Sequence, residues 1–380
     1  LKLKILNSSK WNIMEKKEIF RIIKTLSSAR APSGLEKARG ELFKKELEKI
    51  SINRDIKVNT DSLGNYYIKF NGKSSKKAIA ILAHMDEIGG TIRRIKKEGT
   101  LEFSERGGYE GRWLVSKKIS ILNMEGKWIN GVIAGRSAHT APPKLREEEK
   151  IEPLQMEIFI GAQDKQEVIE KFKIHVGAPF VFSGEFGLLN EAFNDDIISG
   201  YSMDNLVALT GLVLLAQKIS NNLLNEDGDL IKQFDLYIVA TTREEIGTEG
   251  ALFFARNNSI DEIIALDIGI VEDLPGMVSS DIKLNDGPVI VWQEAGGSGV
   301  FDYKLCKNLV EVADQNNLKY QNGILEFYGS DAGKAQKWLG IPSVLIGIPI
   351  MYSHNVPEIS TLSGIEEAAK LIFQYLKNQN

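Results

Sequence analysis

Ala78-Ile-Ala-Ile-Leu-Ala-His84-Met-Asp86-Glu87 joins the most strongly apolar short run of the first hundred residues to three polar, chemically versatile ones. An apolar run from Ala78 to Ala83 stops abruptly at His, Asp and Glu, between Lys76-Lys77 on one side and Gly89-Gly90 on the other. That pattern predicts a buried strand. Side chains alternate along a strand, so His84 and Asp86 are expected on the same side, just past its end. In open α/β sheets the carboxyl ends of strands are where chemistry is placed. A His with a carboxylate two residues on suits a metal, one residue binding and the other orienting it. It equally suits a His and an Asp hydrogen-bonded at a strand end, and the rest of the chain must decide between the two.

Around this strand the chain reads as α/β. An irregular leader is expected over residues 1–13, and helices from about Met14 to residue 50. Within them Ser33-Gly34-Leu35-Glu36 has capping-box spacing, with Leu35, Ala38, Leu42, Leu47 and Ile50 as an apolar face. Residues 56–58 and 66–70 read as strands joined by a turn at Asp61-Ser-Leu-Gly64-Asn65. From about Thr91 to Ser183 short alternating runs, Gly and Pro predominate, with one helical stretch at 166–172. This is the texture of a small β-rich insertion. The acidic run Glu147-Glu148-Glu149 reads as a solvated loop. Helices are then expected at 205–218, 247–256, 303–316, 332–338 and 365–376. Strands are expected at 234–240, 262–266 and 342–346.

A chain of 380 residues is long enough for two domains or one large domain with an insertion, and for a large core. The net charge of −4, with signs mixed, gives no general attraction to nucleic acid. The single cysteine, Cys306, excludes an internal disulfide and reads as a buried helical residue, consistent with a cytoplasmic setting. No apolar run is long enough to span a membrane, and Lys2, Lys4 and Lys10 interrupt the apolar region a signal peptide would need.

Further acidic and His residues stand where elements begin or end. Asp204 precedes a helix, Glu244-Glu245 follow a strand, Asp267 ends one, and His354 follows a strand and the loop Gly347-Ile-Pro-Ile. Each has an ordinary structural explanation, such as an N-cap for Asp204 or a favourable dipole for the glutamates. All of them recurring with His84 at the ends of successive βα units is harder to explain that way. The N/O ligand mixture suits zinc, cobalt or manganese, and the count suits two metals sharing a carboxylate.

Pro32-Ser-Gly34, Asp61 to Asn65, Ala83-His84-Met-Asp86-Glu87-Ile-Gly89, Met203-Asp204-Asn205 and Thr242-Arg-Glu244-Glu245-Ile-Gly247 appear in order. Ala265-Leu-Asp267, Gly329-Ser-Asp331-Ala332 and Tyr352-Ser-His354 follow. In this series the chain resembles peptidase family M42, the co-catalytic metallo-aminopeptidases that include the tetrahedral (TET) and glutamyl aminopeptidases. The resemblance implies a zinc-aminopeptidase-like α/β fold, a mixed sheet flanked by helices. The catalytic domain would be residues 14–90 and 184–380, and the inserted β-rich dimerisation domain residues 91–183. It implies two divalent ions, zinc or cobalt with manganese as an alternative. Asp204 would bridge them, with His84 and Asp267 completing one site and Glu245 and His354 the other. Glu244 would be the general base toward a metal-bridging water, and Asp86 would orient His84. Short peptides would be the substrates, and homo-oligomers, dimers assembled into a dodecamer, the expected state.

The chain departs from the family pattern at Leu206, where a basic residue is common, and at Phe159 and Gly177-Ala178-Pro179-Phe180 in the insertion. Leu206 would affect substrate access beside the bridging ligand. His139 reads as a loop residue and His175 as a strand residue. Gly296-Gly297-Ser-Gly299 lacks the lysine of a phosphate loop. Two rivals stand beside the aminopeptidase: a metal-dependent deacylase or amidohydrolase of the same fold, and a catalytically silent assembly protein. An endoglucanase would need two carboxylates across a sugar bond rather than a His-containing cluster.

Overall fold

The computed structural model describes residues 16–50, 57–74, 77–135, 139, 152–224, 233–271, 280–297, 299–355 and 357–379. The expected leader, Met14 and the run Glu147-Glu148-Glu149 lie outside the described residues. The chain enters with helices α1 (Lys16–Ser27) and α2 (Lys37–Ile50), then strands β1 (Asn59–Thr60), β2 (Tyr66–Phe70) and β3 (Lys77–His84). Next come β4 (Gly89–Ile95), β5 (Leu101–Arg106), α3 (Gly111–Leu114), β6 (Lys118–Leu122), β7 (Trp128–Ile133), β8 (Glu157–Phe159), α4 (Lys165–Glu170) and β9 (Pro179–Phe182). Then follow β10 (Gly187–Leu188), β11 (Ile197–Gly200), α5 (Met203–Leu224), β12 (Phe234–Thr241), α6 (Glu249–Asn257), β13 (Glu262–Val271), β14 (Val289–Glu294) and β15 (Gly299–Val300). The chain closes with α7 (Tyr303–Gln315), β16 (Gln321–Leu325), α8 (Asp331–Leu339), β17 (Ser343–Met351), β18 (Glu358–Thr361) and α9 (Leu362–Lys377).

A 12-stranded mixed sheet forms the main body, in the order β1-β2-β12-β3-β13-β17-β18-β11-β10, with β14 also pairing to β17. Its centre, β12-β3-β13-β17, is parallel. β3 is buried from Ala78 onward, as a continuous apolar run in a parallel sheet must be with helices over both faces. Helix α5 packs on β13 and β3, with α1, α2 and α9 against it, while α8 packs on β13 and β17 beside α6. Strands β4-β5-β8-β7-β6-β9 close into a separate small barrel. Its own core includes Ile92, Phe103, Ile119, Ile158 and Phe180.

Several expectations need correction. Ser33 and Glu36 do not cap a helix, because the Ser33 hydroxyl donates to Asp86 and Glu36 accepts from the Gly34 and Arg243 amides, so α2 starts only at Lys37. The α2 face turned inward is Arg39, Gly40, Phe43, Glu46 and Leu47, leaving Leu35 exposed. Buried polar contacts, which apolar periodicity cannot see, set that face. The strand expected at 56–58 is Asn59–Thr60, and Ile56 lies outside the described residues. β13 and β17 run well past 266 and 346, because they pair with each other through Val271 and Met351, so Asp267 lies inside a strand and Gly347-Ile-Pro-Ile is strand rather than loop. β11, β14, β16 and β18 had no expected counterpart. His175 sits outside any strand, its Nδ1 2.7 Å from the Val176 carbonyl oxygen. His139 lies in a turn, and Cys306 is buried on α7 as expected.

Candidate functional site

Parallel register puts His84 level with Thr241 at the ends of β3 and β12. The β3–β13 pairing stops at Leu82–Ala265, so Asp267 emerges two residues beyond that ladder. Helix α5 has non-helical backbone at Asp204 and Asn205, and the Asp204 carboxylate turns toward the same rim instead of capping the helix. His354 lies in the turn after β17 with φ of 56°. Five separate segments therefore deliver His84, Asp204, Glu244-Glu245, Asp267 and His354 to one edge of the sheet.

Two triads result, sharing Asp204. In one, the candidate ligand atoms of His84, Asp204 and Asp267 all lie within 4.8 Å of one another, and the same holds for Asp204, Glu245 and His354. His84 Nε2 is 3.0 Å from Asp204 Oδ1 and 3.8 Å from Asp267 Oδ1. His354 Nε2 is 3.3 Å from Asp204 Oδ2 and 3.5 Å from Glu245 Oε2. The opposite ring nitrogens are held from behind. His84 Nδ1 lies 3.1 Å from the Asp86 carbonyl oxygen, and His354 Nδ1 is hydrogen-bonded to the Gly108 carbonyl. With Nδ1–H given to a carbonyl, both Nε2 atoms face the carboxylates, and loss of their protons would leave the tautomer a metal needs. Glu245 Oε1 is buried with no hydrogen-bond partner. Buried charge of one sign with an orphaned oxygen is costly unless a cation completes it, so these residues fit divalent metal ions.

Protonation states point the same way. Burial pushes the Glu245 carboxyl up to about 7, His354 opposing and Asp204 adding. Burial also raises Asp267 and Glu244 well above the carboxylate range, with His84 opposing in both. Against the opposing effect of burial, Asp204 and Asp86 hold His84 protonated well above its ordinary value. Without cations the cluster retains protons that bound cations would replace.

Residues behind the triads hold their backbones. Asp86 accepts from the Glu244 amide at 3.0 Å with Oδ1, and from the Glu245 amide at 3.1 Å and the Ser33 hydroxyl at 2.7 Å with Oδ2. Its Oδ1 is also 3.4 Å from His84 Nδ1, so Asp86 touches His84 and aims the two glutamates. Glu358 accepts from the Met203 amide at 2.7 Å and the His354 amide at 3.1 Å. The turn before β2 braces the Glu244 segment. Asp61 Oδ1 accepts from three successive amides, with Gly64 at φ 99°, and Asn65 accepts from the Thr242 amide while donating to the Gly250 carbonyl. Gly250 must be glycine, because a Cβ there would lie 2.3 Å from the Thr242 carbonyl oxygen.

The triads open into a cavity of about 1140 Å³ lined also by Glu244, Trp113, Trp292, Phe327 and Tyr328. Glu244 faces it yet belongs to neither triad. Leu206, in contrast, is buried in the core and does not line the cavity, so it has no part in substrate access. Glu87 and Asp331 are buried behind the site: Glu87 accepts from Arg39, and Asp331 accepts from the Thr241 hydroxyl. Sequence reasoning assigned no role to Glu358, Asn65 or Arg39. A solitary acid, amide or base on a helix or turn has no local pattern to mark it.

A parallel-centred α/β sheet with His and carboxylates gathered at its carboxyl rim defines a hydrolase-type site. The family model of the M42 glutamyl aminopeptidases matches residues 64–371. A protein of Acetivibrio thermocellus, whose name as an aminopeptidase is provisional, is 30% identical over 95% of this chain and 99% of its own length. A TET aminopeptidase from the archaeon Thaumarchaeota archaeon SCGC AB-539-E09 superposes with a TM-score of 0.86 at 26% identity, over 97% of this chain and 98% of that one. The Pyrococcus horikoshii TET1 peptidase, which assembles into a tetrahedron or a large octahedral shell, gives a TM-score of 0.76 at 26% identity over 94% and 98%. The chain belongs to peptidase family M42 and is an aminopeptidase, a hydrolase of peptide bonds.

Proposed function

We propose that this aminopeptidase uses two divalent cations to trim short peptides one residue at a time. The observation that carries the reading is the pair of triads sharing Asp204, with Glu244, a member of neither, lining the same cavity. Asp204 would bridge, His84 and Asp267 would hold one cation, and Glu245 and His354 the other; zinc or cobalt suits these donors, and manganese is an alternative. Bound there, the cations would supply Lewis-acid polarisation of the scissile carbonyl and lower the pKa of an attacking water. Glu244 takes the proton of that water and passes it to the leaving amine. Asp86 orients His84 and fixes the Glu244 and Glu245 backbone, keeping base and ligands in register.

In the same reading, residues 14–90 and 184–380 are the catalytic unit and 91–183 the pairing unit of a homo-oligomer. Val132 and Phe159 are direct cross-strand partners on the outer barrel wall, 41% and 52% exposed, an apolar pair suited to a second copy. A cytoplasmic site of action is consistent with this chemistry. Among the described residues no helix is long and apolar enough to cross a membrane.

The test is hydrolysis of aminoacyl-p-nitroanilides after chelation and after adding back zinc, cobalt or manganese, with N-acetylated forms as controls. Metal-dependent release from free-amine substrates alone is expected. Equal p-nitroaniline release from the N-acetylated forms would turn the reading to an amidohydrolase indifferent to the free amine, and acetate release from them to a deacylase. No release from any substrate with two equivalents of metal bound would turn it to a silent assembly protein.

A further inference from the structure

We infer that Arg39 is a positioning residue that sets the separation of the segment following His84 at the end of β3 and the segment preceding Asp204 at the start of α5. The inference rests on the two-cation reading above. Arg39 stands on α2, is 1% exposed, and does not line the cavity. Its Nη1 donates to the Met85 carbonyl at 2.8 Å and to the Ser202 hydroxyl at 3.0 Å. Its Nη2 donates to Glu87 Oε1 at 2.8 Å and to the Ala29 carbonyl at 2.9 Å, and Nε reaches the same carbonyl at 3.2 Å. Every N–H direction of the planar fork is thereby engaged.

The placement of these partners gives the fork its meaning. Met85 lies between His84 and Asp86. Ser202, at φ 57°, lies two residues before Asp204. One nitrogen atom therefore bridges two segments whose adjoining side chains must meet across 120 residues of sequence, His84 Nε2 against Asp204 Oδ1. Glu87, on the segment after His84 itself, fixes the guanidinium's rotation and also accepts from the Ala31 amide. Asp204 keeps an independent hold through Glu358, which accepts from the Met203 amide. Arg39 bonds the Met85 carbonyl and Glu87 on the His84 side but Ser202 alone on the Asp204 side, so loosening it shifts chiefly the segment after His84, which keeps its register with Thr241 and the Met85 amide's bond to the Thr241 carbonyl, and weakens one cation site. The Glu245–His354 pair is anchored by Asp86, Glu358 and the Gly108 carbonyl, none of which touches Arg39. Burying an ion pair is weak evidence for stability, and its best-attested use is registry. A lysine could not substitute, being a point charge on a flexible stem.

Cobalt titration of the metal-free protein tests this, read by visible absorption and by calorimetry, on wild type, Arg39→Lys, Arg39→Met and Ser202→Ala. Asp267→Asn and Glu245→Gln serve as reference fingerprints for the two sites. Arg21→Met is the control, because Arg21 also pairs with a buried carboxylate, Glu46, but contacts neither segment. Wild type should bind two equivalents. In Arg39→Lys and Arg39→Met one equivalent should weaken about tenfold or more while the other stays within about twofold. The weakened one should be that lost in Asp267→Asn. Ser202→Ala should shift the same equivalent by less, so the outcome is readable even where Arg39→Met does not fold. Equal weakening of both equivalents, no weakening in folded Arg39→Lys and Ser202→Ala, or the same pattern in Arg21→Met would overturn the inference alone. A wild type binding fewer than two equivalents would overturn the two-cation reading and this inference with it.

Discussion

Glu244 and Glu245 are adjacent in sequence yet face different tasks, and their backbone explains why. Asp86 takes one amide with each carboxylate oxygen, so the pair is held as a unit with Glu245 in a triad and Glu244 beside it. Replacing Glu244 by Gln should lower kcat about 100-fold or more with metal content unchanged; unchanged turnover would remove the base from the mechanism. Charge also makes the site pH-sensitive. Glu245 is raised from 4.5 to about 7, so between those values the folded chain without metal keeps a proton that the unfolded chain has lost, and stability falls as pH rises. His354 is raised from 6.5 to about 10, so its stabilising charge is present below 6.5 and is lost as pH climbs through 10. Both signs agree. The melting temperature of chelated protein should therefore decline from pH 5.5 to 8.5, and the increment from added zinc should grow over that range. A melting temperature of the chelated form that rises with pH would contradict this.

At the scale of elements, the site depends on turns as much as on strands. The Asp61–Asn65 turn carries no ligand, but Asn65 satisfies both the Thr242 amide and the Gly250 carbonyl in the core. Asn65→Ala would leave the Thr242 amide unpaired, at about 1–3 kcal/mol, and remove a second bond to the Gly250 carbonyl. Urea denaturation should show that loss, accompanied by a lower kcat because Thr242 leads directly into Glu244. A loss of stability with no effect on kcat would mean that the turn braces only the fold. The capping-box expectation failed here for the same physical reason. Ser33 and Glu36 had better partners in Asp86 and in the Gly34 and Arg243 amides than in the first turn of α2.

At the scale of the molecule, barrel and sheet have separate cores yet meet at the site, where Gly108, just beyond β5, holds His354 and Trp113 of α3 lines the cavity. Substituting Val132 and Phe159 together by lysine should shift the protein to smaller assemblies in light scattering without altering its far-UV spectrum. An unchanged mass would place the pairing surface elsewhere.

Legible in the sequence were the strand β3, the buried Cys306, the α/β rhythm, the β-rich segment and the set of acidic and His residues from which both triads are drawn, the family resemblance separating Glu245 from Glu244. They were legible because each of these residues stands beside a strand or helix whose apolar pattern is strong and local. Only the tertiary structure decided that β13 runs through Asp267, that Leu206 faces the core, that β14, β16 and β18 join the sheet, and that Arg39, Asn65 and Glu358 hold the rim in place. Those facts rest on partners far apart in the chain: strand ends are set by the neighbour they pair with, and a buried polar side chain is placed by the distant backbone groups it must satisfy.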